Sequence, residues 1–68
     1  MTNGYREFEV ERTFSAGMAV QRIISHLQNN GAGDVIWPVI KGDRVVFSVC
    51  TYNPLVTRWI EDELAPFV

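Results

Sequence analysis

Cys50 and His26 are the one thiol and the one imidazole of the chain, the pair of types that a thiol nucleophile and its base would require. A thiolate attacks usefully when a base or cation stands within hydrogen-bond reach. His26 falls on the polar side of a helical pattern, and Cys50 falls at the end of a strand pattern. The two are therefore expected on opposite sides of a sheet, where no dyad forms. A lone cysteine cannot make an internal disulfide, and no ligand spacing resembles a structural zinc site, so no metal and no cofactor is expected. The acidic residues all map to exposed positions and form no acid/base couple. Asn30-Gly31-Ala32-Gly33 is glycine-rich but follows a helical pattern, whereas phosphate-cradling loops precede a helix. No enzyme is expected.

The carboxylates suggest a different chemistry. Glu7, Glu9 and Glu11 repeat every second residue, which sets them about 7 Å apart along a strand. Glu61, Asp62 and Glu63 form a second cluster. Such a row can imitate the phosphates of a nucleic acid. It would suit a small inhibitor, of the kind phages and mobile elements encode, acting on a nucleic-acid-handling protein. The formal charge of only −2 favours the plainer reading of a solvated strand face. It also argues against direct binding of nucleic acid, which needs clustered Lys and Arg to displace counterions.

The elements that would carry these residues can be placed by periodicity. From Tyr5 to Phe14 the chain alternates, with Phe8, Val10 and Phe14 on one side and Glu7, Glu9, Glu11 and Thr13 on the other, interrupted at Arg12. This predicts a half-buried strand. Ser15 is the expected helix cap. Ala16, Ala19, Val20, Ile23, Ile24 and Leu27 then mark one apolar helix face, and Asn29-Asn30-Gly31 stops the helix. Two β-rich runs, 35–40 and 45–50, flank Gly42-Asp43, which suits a two-residue hairpin. That turn predicts Ile36 opposite Val49, Pro38 opposite Phe47 and Ile40 opposite Val45, all on one apolar face. Val35, Trp37, Val39, Lys41, Arg44, Val46, Ser48 and Cys50 would take the other. Pro38 cannot donate to a ladder, so its strand should be an edge. Asn53 and Pro54 cap and open a last helix, whose buried face is Val56, Trp59, Ile60, Leu64 and Phe67, ended by Pro66. Its acidic C-terminal turn opposes the helix dipole, and Arg58 is placed to offset this at the four-residue step to Asp62.

These elements predict an α+β fold of two layers. A three-stranded antiparallel sheet in order 1-3-2 would carry both helices on one face, in the order β-α-β-β-α. The plan resembles the split β-α-β, or ferredoxin-like, arrangement without its last strand. In length and topology it is similar to small metal-carrier domains, which bind copper through two cysteines in the loop before the first helix. Here that loop reads Thr13-Phe14-Ser15-Ala16-Gly17-Met18. It is also similar to RNA-recognition domains, which stack bases on aromatics of the central strands. Here strand one would present Glu7, Glu9 and Glu11, and strand three offers no aromatic on that face. Small tautomerases with ferredoxin-like halves use a proline after the initiator methionine, where this chain has Thr2. The resemblance thus implies topology and none of these activities.

With both helices on one side, the second sheet face stays open. Trp37, Val39 and Val46 would meet there, edged by Lys41 and Arg44 and by Glu7, Glu9 and Glu11. An apolar group with a charged rim marks an interaction surface. A non-catalytic protein-binding module is expected, homodimeric or docked on a larger protein, with strand 35–40 as a second contact by strand addition. The whole chain, 1–68, is expected to be a single domain and a complete small gene product. No apolar run reaches the roughly 18 residues of a membrane span, and Met1-Thr2-Asn3-Gly4 lacks a signal-peptide pattern, so a cytoplasmic location and no membrane partner are expected.

Overall fold

The computed structural model describes residues 4–68. Met1, Thr2 and Asn3, on which the leader reading and the comparison at Thr2 rest, lie outside the described residues. The elements are β1 (Arg6–Glu11), α1 (Phe14–Asn30), β2 (Asp34–Lys41), β3 (Arg44–Cys50), α2 (Pro54–Leu64) and a short 3-10 turn (Ala65–Phe67). The strands form one antiparallel sheet in the order β1-β3-β2. The α+β arrangement is the one the periodicities predict, with β2 at an edge as Pro38 requires.

Alternation sorts β1 cleanly. Phe8 and Val10 turn inward opposite Phe47 and Val45, while Glu7, Glu9 and Glu11 turn outward opposite Ser48, Val46 and Arg44. Phe8, Val10, Phe47 and Val49 join Ala16, Ala19, Val20, Ile23, Ile24 and Leu27 of α1 and Ile60 and Leu64 of α2 in one buried cluster. Both helices therefore cover the same sheet face. The Phe8 and Phe47 rings stack within it, 5.5 Å between centroids, a spacing at which aromatic pairs add to plain area burial.

The helix ends follow local chemistry. Gly31 takes the left-handed conformation at φ 60° and its amide returns to the carbonyl of Leu27, closing α1. Asn53 caps α2 by accepting from the amide of Leu55 at 2.9 Å, with Pro54 in the first turn. The cap of α1 differs from expectation. Thr13, not Ser15, sits at the cap, with extended backbone and a hydroxyl that accepts from the Ala16 amide at 3.2 Å. The same hydroxyl donates to Glu11 at 2.9 Å, so it is held from both sides. Phe14 is consequently the first helical residue, 85% exposed, and not part of the inward row of β1. Thr13→Ala should cost about 1 kcal/mol, and Ser15→Ala should cost far less, in paired urea melts.

The acidic end of α2 is offset from other elements. Arg6 of β1 pairs with Glu61 at 2.6 Å, and Arg22 of α1 meets Glu63 at 3.8 Å. The expected Arg58–Asp62 pair is not among the ion pairs of the described residues. Arg6 also lies over the Phe8 ring, 5.0 Å from its centroid. The Arg6–Glu61 pair joins β1 to α2, and the Arg22–Glu63 pair joins α1 to α2.

The largest departure lies in β2. Next to the turn the expected register holds, with Lys41 opposite Arg44, Ile40 opposite Val45 and Val39 opposite Val46. Gly42 has φ 64° and Asp43 has no positive φ, the sign pattern of a II′ turn. Beyond Val39 the register shifts, and Ile36 faces Ser48 while Val35 faces Val49. The expected pairs Ile36 with Val49 and Pro38 with Phe47 are corrected accordingly. Trp37 and Pro38 together stand opposite the single residue Phe47, which is a β-bulge. Val35 therefore turns to the helix side, where it packs on the core, and Ile36 turns to the open side.

Candidate functional site

The open face is built from three cross-strand rows. Glu11, Arg44 and Lys41 form the first; Glu9, Val46 and Val39 the second; Glu7, Ser48 and Ile36 the third. The structure thus brings Val39, Val46, Lys41, Arg44, Glu7, Glu9 and Glu11 onto one face, with Trp37 in the bulge at its edge.

Their roles within that face are unequal. Val46 is only 5% exposed although no helix covers this side. Its direct neighbours are Glu9 and Val39, and Arg44 donates from Nε to Glu9 at 3.4 Å alongside it. Long charged side chains cover apolar surface with their stems while keeping their heads wet. Val46 is therefore a floor to the face, and offers little contact area to a partner. The ion pair beside it is partly exposed, so solvent screens it and keeps its own worth to about 1 kcal/mol or less.

The exposed apolar surface lies instead along β2. Ile36, Trp37, Val39 and Ile40 are 50%, 57%, 51% and 58% exposed. Ile36 and Val39 belong to the open face. Ile40 points to the helix side, beside half-buried Val45 and outside the buried cluster. The sequence pattern predicts Ile36 and Ile40 on the inner apolar face; the bulge turns Ile36 outward, and Ile40 keeps the expected face but is exposed. Pro38 was the available signal, since a proline in the middle of a strand marks a bulge as readily as an edge.

The acidic row is partly engaged within the chain. Glu9 is paired with Arg44, and Glu11 accepts from Thr13. In the second cluster Glu61 and Glu63 meet Arg6 and Arg22.

Cys50 and His26 line separate concavities. Cys50 lies in an open hollow of about 300 Å³ with Asp34, Thr51 and Tyr52. His26 lines a shallow apolar groove of about 420 Å³ with Met18, Arg22 and Trp59. Its ring packs on Trp59 at 4.6 Å between centroids, and Asn30 Nδ2 lies 3.3 Å from its Nδ1. No carboxylate or thiol lines that groove. Among the described residues, no group of three or more His, Cys, Asp or Glu side chains is placed to hold a metal ion, and no helix is long and apolar enough to cross a membrane.

No protein-family model, no curated protein and no solved structure matches the chain.

Proposed function

We propose that this chain is a protein-binding module whose contact surface is the β2 edge together with the open sheet face beside it. The observation that carries this reading is the run of exposed apolar side chains, Ile36, Trp37, Val39 and Ile40, on a strand with a free hydrogen-bonding edge. Such a strand recognises an extended segment by adding it to the sheet, with main-chain bonds for affinity and side chains for selectivity. Trp37 is the natural anchor, because tryptophan concentrates binding energy at interfaces. Lys41 and Arg44 at one end supply a polar rim. An acidic mimic of nucleic acid is the weaker reading, since Glu9 and Glu11 already have partners within the chain.

Trp37→Ala should leave the fold in place, within about 1 kcal/mol of wild type, because the side chain is mostly outside the core. It should abolish association of the purified chain with itself, or with any protein captured by wild-type bait. A wild-type chain that sediments as a monomer and captures nothing in a Trp37-dependent way would refute the proposal.

A further inference from the structure

We infer that the partner of the β2 edge is a second copy of this chain, paired antiparallel about a two-fold axis that passes through the Trp37-Pro38 bulge. The inference rests on the protein-binding reading and names its partner.

Strand β2 starts at Asp34, ends at Lys41, and is apolar between them. An antiparallel mate of the same sequence, centred on the strand, sets Asp34 of each copy against Lys41 of the other. Val35 then faces Ile40 and Ile36 faces Val39. Opposite charges meet at both ends and apolar side chains meet between, which is the self-complementarity that a two-fold interface needs.

Sidedness is a second and independent condition. In a regular strand, Asp34 and Lys41 differ by an odd number of positions and point to opposite faces, so this register would mix the faces. The bulge changes the phase halfway along. Asp34, Ile36, Val39 and Lys41 all lie on the open face, and Val35 and Ile40 both lie on the helix face. Each pair in the proposed ladder therefore joins residues of the same face.

Backbone direction agrees as well. The closing pair of the two-residue hairpin is Lys41 with Arg44, whose N–H and C=O groups point at each other. Alternation along β3 then directs Arg44, Val46, Ser48 and Cys50 toward β2, and their partners Lys41, Val39, Ile36 and Asp34 toward β3. Val35 and Ile40 lie between these and turn outward. They are the residues that must exchange hydrogen bonds in this register. Pro38 ordinarily blunts an edge. Here it sits on the two-fold, so its missing N–H affects only the centre of the ladder. The product is one continuous sheet in the order β1-β3-β2-β2-β3-β1, doubling the three strands of each copy, with all helices on one side.

Sedimentation equilibrium of the full chain at low salt tests this. Wild type should be a dimer. Asp34→Lys and Lys41→Asp each place like charges at both ends and should each weaken the dimer about tenfold, and the double variant should recover it. A register readout comes from Ile36→Cys and Val39→Cys, each in a Cys50→Ser chain. Mixed, the two should form a disulfide-linked heterodimer, and neither alone should cross-link at that rate. A monomeric wild type would overturn the self-pairing while leaving the protein-binding reading to its own test at Trp37. A dimer indifferent to the charge exchange, or one without the mixed cross-link, would overturn this interface.

Discussion

Phe47→Ala should bring the chain to the edge of unfolding. Phe47 lies at the centre of the middle strand, 1% exposed, stacked on Phe8 and covered by the helix layer. Removing a buried phenylalanine costs about 3–5 kcal/mol, from lost transfer energy and the cavity left behind. A chain this short has a total stability of only about 3–10 kcal/mol at the usual amount per residue. The substitution therefore removes much or all of it. Far-UV circular dichroism should show a chain largely unfolded at ambient temperature, or a urea midpoint lowered by about 2–3 M for a slope near that of small domains. Phe14→Ala is the internal comparison. It deletes the same atoms from a site that is almost wholly exposed, and should change stability by no more than about 0.5 kcal/mol. Equal losses at the two positions would contradict the placement of Phe14 at the start of α1.

Gly33→Ala should destabilise by about 1–3 kcal/mol, the usual range when atoms are forced into a filled space. A β-carbon at Gly33 would lie 2.7 Å from the carbonyl oxygen of Cys50 and 3.2 Å from Cβ of Thr51. The first of these is backbone and cannot rotate away. The strand entry must shift, and with it the hydrogen bond that Thr51 donates to the carbonyl of Ala32 at 2.9 Å. Gly17→Ala is the matched substitution of opposite sign. Nothing lies within 4 Å of its added carbon and the residue is helical, so alanine should raise stability by up to about 1 kcal/mol. Thermal or urea melts of the two variants should fall on either side of wild type.

What the chain reveals before folding is whatever its signals encode locally. The apolar stripe from Ala16 to Leu27, the stop at Gly31 and the opening at Asn53-Pro54 each depend on residues within a turn or two, and each is found where it was expected. The order of strands follows from the hairpin and from Pro38. Two features were hidden because local rules permit more than one outcome. Thr13 and Ser15 are both competent caps, and the choice falls to Thr13, which also reaches Glu11. In β2, Ile36, Pro38 and Ile40 make an uninterrupted apolar row, and a regular ladder would have buried it. The competing register turns the half-buried Val35 onto the core instead, opposite Val49 and against residues far along the chain. The misplacement of Ile36 followed directly, whereas Ile40 keeps its expected partner Val45 and is exposed because it lies outside the buried cluster. The low exposure of Val46 has a separate origin, since its neighbours Glu9, Val39 and Arg44 come from three strands at once.

The bulge at Trp37-Pro38 also has a meaning for how this strand can change over time. A strand is read in steps of two, so its sequence has a frame, and losing a residue from it ordinarily inverts every side chain on one side of the deletion. Here the strand carries one residue more than its partner requires. Loss of either Trp37 or Pro38 would leave Val35 opposite Val49 and Ile36 opposite Ser48 on one side, and Val39 opposite Val46 and Ile40 opposite Val45 on the other. The edge can therefore be trimmed by one codon at its centre with its frame intact at both ends.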